Sequence, residues 1–300
     1  MPQSMPEWVE TYRGWVQPGD CDITEHMTIS SYIGMYGQAT LALVEDLGFG
    51  FDYRNSERRA FPTVQCHACF KQELRVGDIM HIESAIVERR GKVAIFGHNM
   101  INSATGETAA TLYQTTLHLD MDARKTVDVP EAVGAKLDAR VVDWNGPDPE
   151  AREFPDNIEG FLPSGRDTVQ LGEMDVLGHM SFSHYIRRFS GANMHALTAV
   201  GFTSEFMRSQ RRGVSTFELD IRYLRELHPG DLVTVHTTLR DIGGSSFRLV
   251  HKMMNVRTGE LAAQMSQYSV LLDLDARRPT RLPDDIRDKA MALVEAQTKQ

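Results

Sequence analysis

Two kinds of hydrophobic spacing alternate along the chain, and each occurs twice. From Ser30 to Leu47 the apolar residues Tyr32, Ile33, Met35, Tyr36, Ala39, Leu43, Val44 and Leu47 recur at intervals of three and four, which predicts a helix. They spread over most of its girth, as in a helix enclosed by its surroundings. Ser183 to Val200 predicts its partner. Thr28 and Ser181 stand where N-caps belong, and Gly48 and Gly201 where left-handed stops belong. Further on the period becomes two. Met80, Ile82, Ser84 and Ile86 alternate with His81, Glu83 and Ala85, and Val233, Val235, Thr237 and Leu239 repeat the pattern. Turn signals at 76–78, 90–92 and 104–107 divide this stretch into about four strands, expected to form an antiparallel meander. A short strand (Thr11 to Gln17; Asp167 to Leu171) and a polar stretch around Asp22 or Asp175 precede each helix. The fold class expected is α+β, each unit a long central helix wrapped by an antiparallel sheet.

The two halves also match in letters. GDCDITEHM from Gly19 aligns with GEMDVLGHM from Gly172, an offset of 153 residues that holds without a gap to Pro130 and Pro283. Asp22 pairs with Asp175, His26 with His179, Tyr32 with Tyr185, His98 with His251 and Gln114 with Gln267. A solenoid repeat spans roughly 20–50 residues, so this is a duplicated domain. The expected organisation is a first repeat over 8–130, a linker over 131–163 with one short helix, a second repeat over 164–285 and a helical tail over 286–300. The tail helix is expected from Asp284 to Thr298.

Composition narrows the function. The 300 residues are 41% hydrophobic and 24% charged, ordinary for a globular protein. Lys and Arg number 32 against 41 Asp and Glu, a formal charge of -9 with no basic stripe, which argues against nucleic acid as a partner. No apolar run approaches the ~20 residues that span a bilayer, so no membrane partner is expected. MPQSMPEWVE lacks the layout of a secretory signal, and three cysteines make no disulfide framework, so a cytoplasmic location is expected.

The chemistry-bearing candidates are duplicated too. Asp22-x-x-x-His26 and Asp175-x-x-x-His179 lie just before the long helices. A carboxylate there can act as general base or nucleophile, while helix N-terminal N–H groups can hold a developing oxyanion. An Asp at that place can equally be a plain cap. His98 with Gln114, and His251 with Gln267, are polar groups among apolar strand neighbours and are expected to line a pocket or to be satisfied within the core. Arg58-Arg59 and Arg211-Arg212 follow the helices in polar loops, where they can meet phosphates or simply be solvated. Cys66-x-x-Cys69 on a strand has its members facing opposite ways and no second pair, so no metal is expected. Phosphate-cradling, dinucleotide-binding and nucleophile-elbow motifs are absent from the sequence.

Strand, Asp-x-x-Gly-His-Met, a helix opening near Ser-x-Tyr-Ile, and then a run of strands resemble the hotdog fold. Asp175-Val-Leu-Gly178-His179-Met180 and Asp22-Ile-Thr-Glu25-His26-Met27 are similar to the catalytic loop of the 4-hydroxybenzoyl-CoA thioesterase superfamily. Phe217 to Leu224 with Pro229-Gly230-Asp231, Leu249 to Met253, and Gly259 to Ala263 are similar to the branch that contains betainyl-CoA thioesterases of carnitine breakdown. The resemblance implies a tandem (double) hotdog acyl-CoA thioesterase that needs no cofactor. It implies an acyl pocket where the repeats join, and a short-chain or polar acyl group as substrate.

In that reading Asp22 or Asp175 activates water or attacks the carbonyl, and His26 or His179 positions it. The N–H groups around His26-Met27 or His179-Met180 polarise the carbonyl. Met27, Met180, His98, His251, Gln114, Gln267, Arg58 and Arg211 are the expected substrate contacts. Two departures stand out. Tyr113-Gln114 and Ser266-Gln267 occupy the place of a Glu-Gln pair, removing a carboxylate suited to a cationic acyl group. Glu25 replaces the loop glycine, which predicts a different backbone path in the first loop. A hotdog enoyl-CoA hydratase or 3-hydroxyacyl dehydratase is disfavoured by the three-residue Asp–His spacing, and a non-catalytic acyl-thioester binding module is the other alternative. The sequence is compatible with a homo-oligomer of double-hotdog chains without deciding it.

Overall fold

Thr28 opens the first long helix as expected, its hydroxyl accepting from the Ser31 N–H at 3.3 Å. That helix, α1 (Ile29–Asp46), belongs to a computed structural model that describes residues 7–22, 24–150 and 152–298. Two units compose the chain, Met1–Glu150 and Ala151–Gln300. In the first, β1 (Val9–Trp15) precedes α1, which is followed by α2 (Phe51–Glu57), β2 (Arg59–Ala60), β3 (Thr63–Phe70), β4 (Ile79–Arg90), β5 (Val93–Asn102) and β6 (Thr108–Leu117). Two short strands, β7 (Leu119–Asp120) and β8 (Lys125–Thr126), and α3 (Glu131–Asp138) complete it.

The second unit repeats this order. β9 (Leu162–Thr168) leads to α4 (Phe182–Val200), α5 (Ser204–Ser209), β10 (Arg212–Tyr223), β11 (Leu232–Arg240), β12 (Ser246–Asn255) and β13 (Leu261–Asp273). β14 (Arg278–Pro279) and α6 (Asp284–Thr298) close the chain. Gly201 ends α4 at φ 115°, and Gly48 follows α1 at φ 81°, both left-handed.

The strands pair antiparallel in the order β1-β4-β5-β6-β3 in the first unit and β9-β11-β12-β13-β10 in the second. Consecutive pairing, as in a meander, therefore accounts for only three strands of each sheet. β3 and β10 pair with the last of the three instead of the first. Bulges recur at equivalent places, between Thr63 and Gln65 and between Thr216 and Glu218, and each adds local twist that coils the sheet around its helix.

Alternation on β4 follows burial: Met80, Ile82, Ser84 and Ile86 are buried, as are Val233, Val235, Thr237 and Leu239 on β11. They meet the buried faces of α1 (Tyr36, Ala39, Leu43) and α4 (Phe189, Ala192, Ala196). Phe49, Phe61 and Phe96 extend the first core, and Phe202 and Phe247 the second, where α6 adds Ile286 and Ala290.

Two expectations need correction. β9 starts at Leu162 instead of Asp167, because Ser164 is the one buried residue in LPSGRDT and the strand has no apolar alternation to read. The stretch expected to be a linker is not separate from the units. α3 packs Leu137 into the first core, and the Val142 N–H donates to the Ile86 carbonyl at 2.9 Å. Arg152, on the other side of the division, stacks on Tyr268.

Candidate active site

Both Asp-x-x-x-His loops fold into one tight shape. The Asp22 N–H donates to the His26 carbonyl (3.0 Å) and the Glu25 N–H to the Asp22 carbonyl (3.0 Å); the equivalents are Asp175 to His179 (2.9 Å) and Gly178 to Asp175 (3.1 Å). Glu25 is left-handed at φ 65°, as is Gly178 at φ 82°. The different backbone path expected from Glu25 is therefore absent: the exchange keeps the path and strains the residue. αL costs a non-glycine residue about 1–2 kcal/mol.

Side chains distinguish the copies. Asp175 is half-buried; its Oδ1 accepts from the Leu177 N–H at 2.8 Å, and its Oδ2 lies 3.3 Å from His179 Nδ1. Asp22 is exposed, and its Oδ1 accepts from both the N–H and the hydroxyl of Thr24, at 2.7 and 2.5 Å. His26 Nε2 faces Glu73 Oε2 at 3.1 Å. The second loop thus joins its acid to its own histidine, while the first shows contacts to a threonine and a glutamate.

An ion cluster centred on the buried Arg188 braces the second loop. Arg188 of α4 donates to Glu173 at 2.8 Å and lies 3.1 Å from Asp167, tying the helix to the 3-10 turn Leu171–Glu173 just before Asp175. Burial alone would raise the Glu173 carboxyl, but the Arg188 guanidinium beside it draws it below its ordinary value. Met35 and Asp20 stand at the equivalent places in the first repeat. Sequence reading missed Arg188; an arginine on an otherwise apolar helix face was the available signal.

The Met27 and Met180 N–H groups, expected to face a thioester carbonyl, are otherwise engaged. They donate to the Leu74 and Leu227 carbonyls at 2.8 Å each, and both side chains are buried. Tyr32 and Tyr185 secure the same connections: the Tyr32 hydroxyl accepts from the Leu74 N–H at 3.2 Å, and the Tyr185 hydroxyl donates to the Arg225 carbonyl at 3.2 Å. An oxyanion donor in this loop is instead to be sought in the first turn of α1 or α4, whose N–H groups have no partner within the helix. Arg58 and Arg211 lie at φ 54° and 51° and donate to Asp122 and Asp275 at 3.0 Å, all of them exposed.

Beneath α1 the paired His and Gln enter a buried network. Thr11, Ser84 and His98 Nδ1 are joined by two 2.6 Å contacts. His98 Nε2 lies 3.1 Å from Gln114 Oε1, and Gln114 Nε2 donates to the Thr63 hydroxyl at 2.6 Å. An amide oxygen only accepts, so His98 carries its proton on Nε2 and Nδ1 accepts from Ser84. The Thr40 hydroxyl lies 2.8 Å from Gln114 Oε1 and closes the set. In the second repeat Ser164, Thr237 and His251 Nδ1 repeat the chain at 2.6 and 2.7 Å, but Asn193 replaces Thr40. His251 Nε2, Gln267 Oε1 and Asn193 Oδ1 lack partners among the described residues. Burial pushes the His98 and His251 imidazoles down to about 3, so both are neutral at pH 7.

The sequence profile of the thioesterase-like superfamily matches this chain twice, over residues 16–137 and 169–290. The chain belongs to that superfamily, and its architecture is a tandem hotdog. It is 33% identical over 137 residues to an L-carnitine dehydrogenase/betainyl-CoA thioesterase of Agrobacterium fabrum, covering 46% of this chain and 27% of the relative. The chain thus matches about a quarter of that longer protein. A betainyl-CoA thioesterase of Pseudomonas aeruginosa is 23% identical over 135 residues, covering 45% of this chain and 85% of that one. Among solved structures, the 12:0-ACP thioesterase from Umbellularia californica shares the fold with a TM-score of 0.68 at 13% identity, over 90% of this chain and 93% of that one. No helix among the described residues is long and apolar enough to cross a membrane.

Proposed function

We propose that the protein hydrolyses acyl-CoA thioesters to the free acid and CoA in the cytoplasm, and that the second repeat carries the chemistry through Asp175. The observation that carries this reading is the half-buried Asp175 carboxylate, with one oxygen on the Leu177 N–H and the other 3.3 Å from His179. This acid lies just ahead of α4, where the helix dipole and the first-turn N–H groups, apart from that of His184 which donates to the Ser181 carbonyl, favour a developing oxyanion. Asp175 takes the proton of an attacking water or attacks the carbonyl carbon itself. His179 holds the carboxylate in place. The thiol released has a pKa of about 8–9, so the thiolate leaves without a strong general acid.

A short or polar acyl group is the substrate this reading favours. The named relatives act on betainyl-CoA, and their likeness supports a CoA carrier. Ser266 and Tyr113 supply no carboxylate for a cationic acyl group.

Release of free thiol from a panel of acyl-CoAs tests the proposal. Asp175→Asn is expected to lower kcat by a hundredfold or more, while Asp22→Asn leaves it within about threefold. Unchanged turnover in Asp175→Asn would remove the role assigned to it. Tight CoA-ester binding without thiol release by the wild type would favour a binding module.

A further inference from the structure

On β12 the side chains alternate between two faces. His251 packs against Phe189 of α4, with ring centroids 5.4 Å apart, so its neighbour Lys252 points to the opposite face. There the register sets three residues in a row across three strands: Arg222 of β10 opposite Gln264 of β13, and Gln264 opposite Lys252. Residues 152–156 line the same cavity, which measures about 560 Å³ and also takes in Leu261.

Lys252, Gln264 and the Nε–H of Arg222 are unspent donors in this row. Lys252 is 3% exposed and Gln264 9% exposed, and neither side chain forms a hydrogen bond or ion pair among the described residues. The Arg222 guanidinium stacks on Phe154 at 4.8 Å and donates through Nη2 to the Arg152 carbonyl at 2.9 Å, but its buried Nε–H has no acceptor. An ammonium on a nearly buried side chain that opens onto a cavity without a partner is a place for an anion to bind. Acids stand nearby. Asp220 is 3.6 Å from Arg222, Arg152 is held by Glu218 at 3.0 Å, and Glu153 and Asp156 are exposed at the cavity. Asp156 acts on Lys252 through space without pairing with it.

The first repeat lacks this arrangement. Its equivalents of Arg222, Gln264 and Lys252 are Cys69, Thr111 and Asn99, and Asn99 already donates to Asn145 at 2.9 Å. Only the second copy sets three donors on this face.

We propose that this face of the second repeat is a binding site for a small organic carboxylate. Lys252 meets its charge, Arg222 Nε–H and the Gln264 amide donate to its oxygens, and Phe154, Pro155 and Leu261 cover its apolar body. The site lies apart from the Asp175 loop and stands whether or not thioester hydrolysis is the activity.

Titration of the intact protein with hexanoate, and separately with inorganic phosphate, followed by the Gln264 side-chain amide signal in nitrogen-15 NMR, tests it. Hexanoate is expected to shift that signal saturably. A hydrogen bond to a charged group contributes about 1.5–3 kcal/mol, so Lys252→Met should weaken hexanoate about tenfold or more. Asp156→Asn, which removes the competing acid, should tighten it. Gln264→Leu, followed by calorimetry, gives a second route should Lys252→Met fail to fold. No saturable hexanoate binding to the wild type, equal affinity in Lys252→Met or Gln264→Leu, or binding of phosphate alone would each overturn the assignment.

Discussion

Arg188 and Glu173 form a 2.8 Å ion pair whose side chains are 5% and 14% exposed, joining the middle of a buried helix to the turn that precedes Asp175. Because Met35 and Asp20 replace the two residues in the first repeat, the pair is a property of one loop only.

Arg188→Met copies the first repeat and strands Glu173. Breaking a buried pair from one side costs about 3–5 kcal/mol, so urea unfolding should show a loss near the lower end of that range. If the pair positions the Asp175 loop, kcat falls while KM changes little. Restoring charge balance with Glu173→Gln in the same chain should recover part of the stability.

Glu25→Gly is expected to stabilise the protein, because glycine adopts φ 65° without the steric penalty that glutamate bears. A gain of about 1 kcal/mol in chemical denaturation is expected. Gly178→Glu should move stability the other way by a similar amount.

Acid should destabilise the protein through the buried His98 and His251. Their folded pKa values of about 3 lie below the unfolded value near 6.5, so between these limits the unfolded chain binds protons that the folded one excludes. The stabilisation is complete above pH 6.5 and is lost as pH falls towards 3. Each histidine contributes a slope of about 1.4 kcal/mol per pH unit in that window. Comparing unfolding free energies at pH 7 and 5 in the wild type and His251→Phe checks this, and the variant should show the shallower dependence.

Gln114→Leu should cost more than Gln267→Leu. The first removes the partner of His98, Thr40 and Thr63 together, whereas Gln267 Oε1 has none to lose and only the Nε2 bonds to Thr216 and Ser269 disappear. With about 1 kcal/mol for each net hydrogen bond and more for a stranded buried group, the first variant should be less stable by about 1–3 kcal/mol.

Duplication made the fold legible in the sequence. Tyr36 and Leu43 on a three-four spacing and Met80 to Ile86 on a two-residue spacing announced helix and strand, and their echoes 153 residues on announced the second unit. Periodicity says which face of a strand is buried but not which strand lies beside it, so the pairing of β3 with β6 was hidden. The Asp-x-x-x-His loops were legible as candidates, but their inequality was not. It rests on Thr24, Glu73 and Arg188, distant or unremarkable letters that acquire meaning only when the chain brings them near. The commitment of the Met27 and Met180 N–H groups to Leu74 and Leu227 likewise depends on partners some 47 residues away.

The two acid-bearing turns share their main-chain bonds to within a tenth of an ångström while differing in what their side chains hold. The bend is thus held by the main chain, while the groups that distinguish the copies, Glu73 and Arg188 among them, reach in from elsewhere. Either half can therefore rework what surrounds its acid without rebuilding the hairpin that carries it.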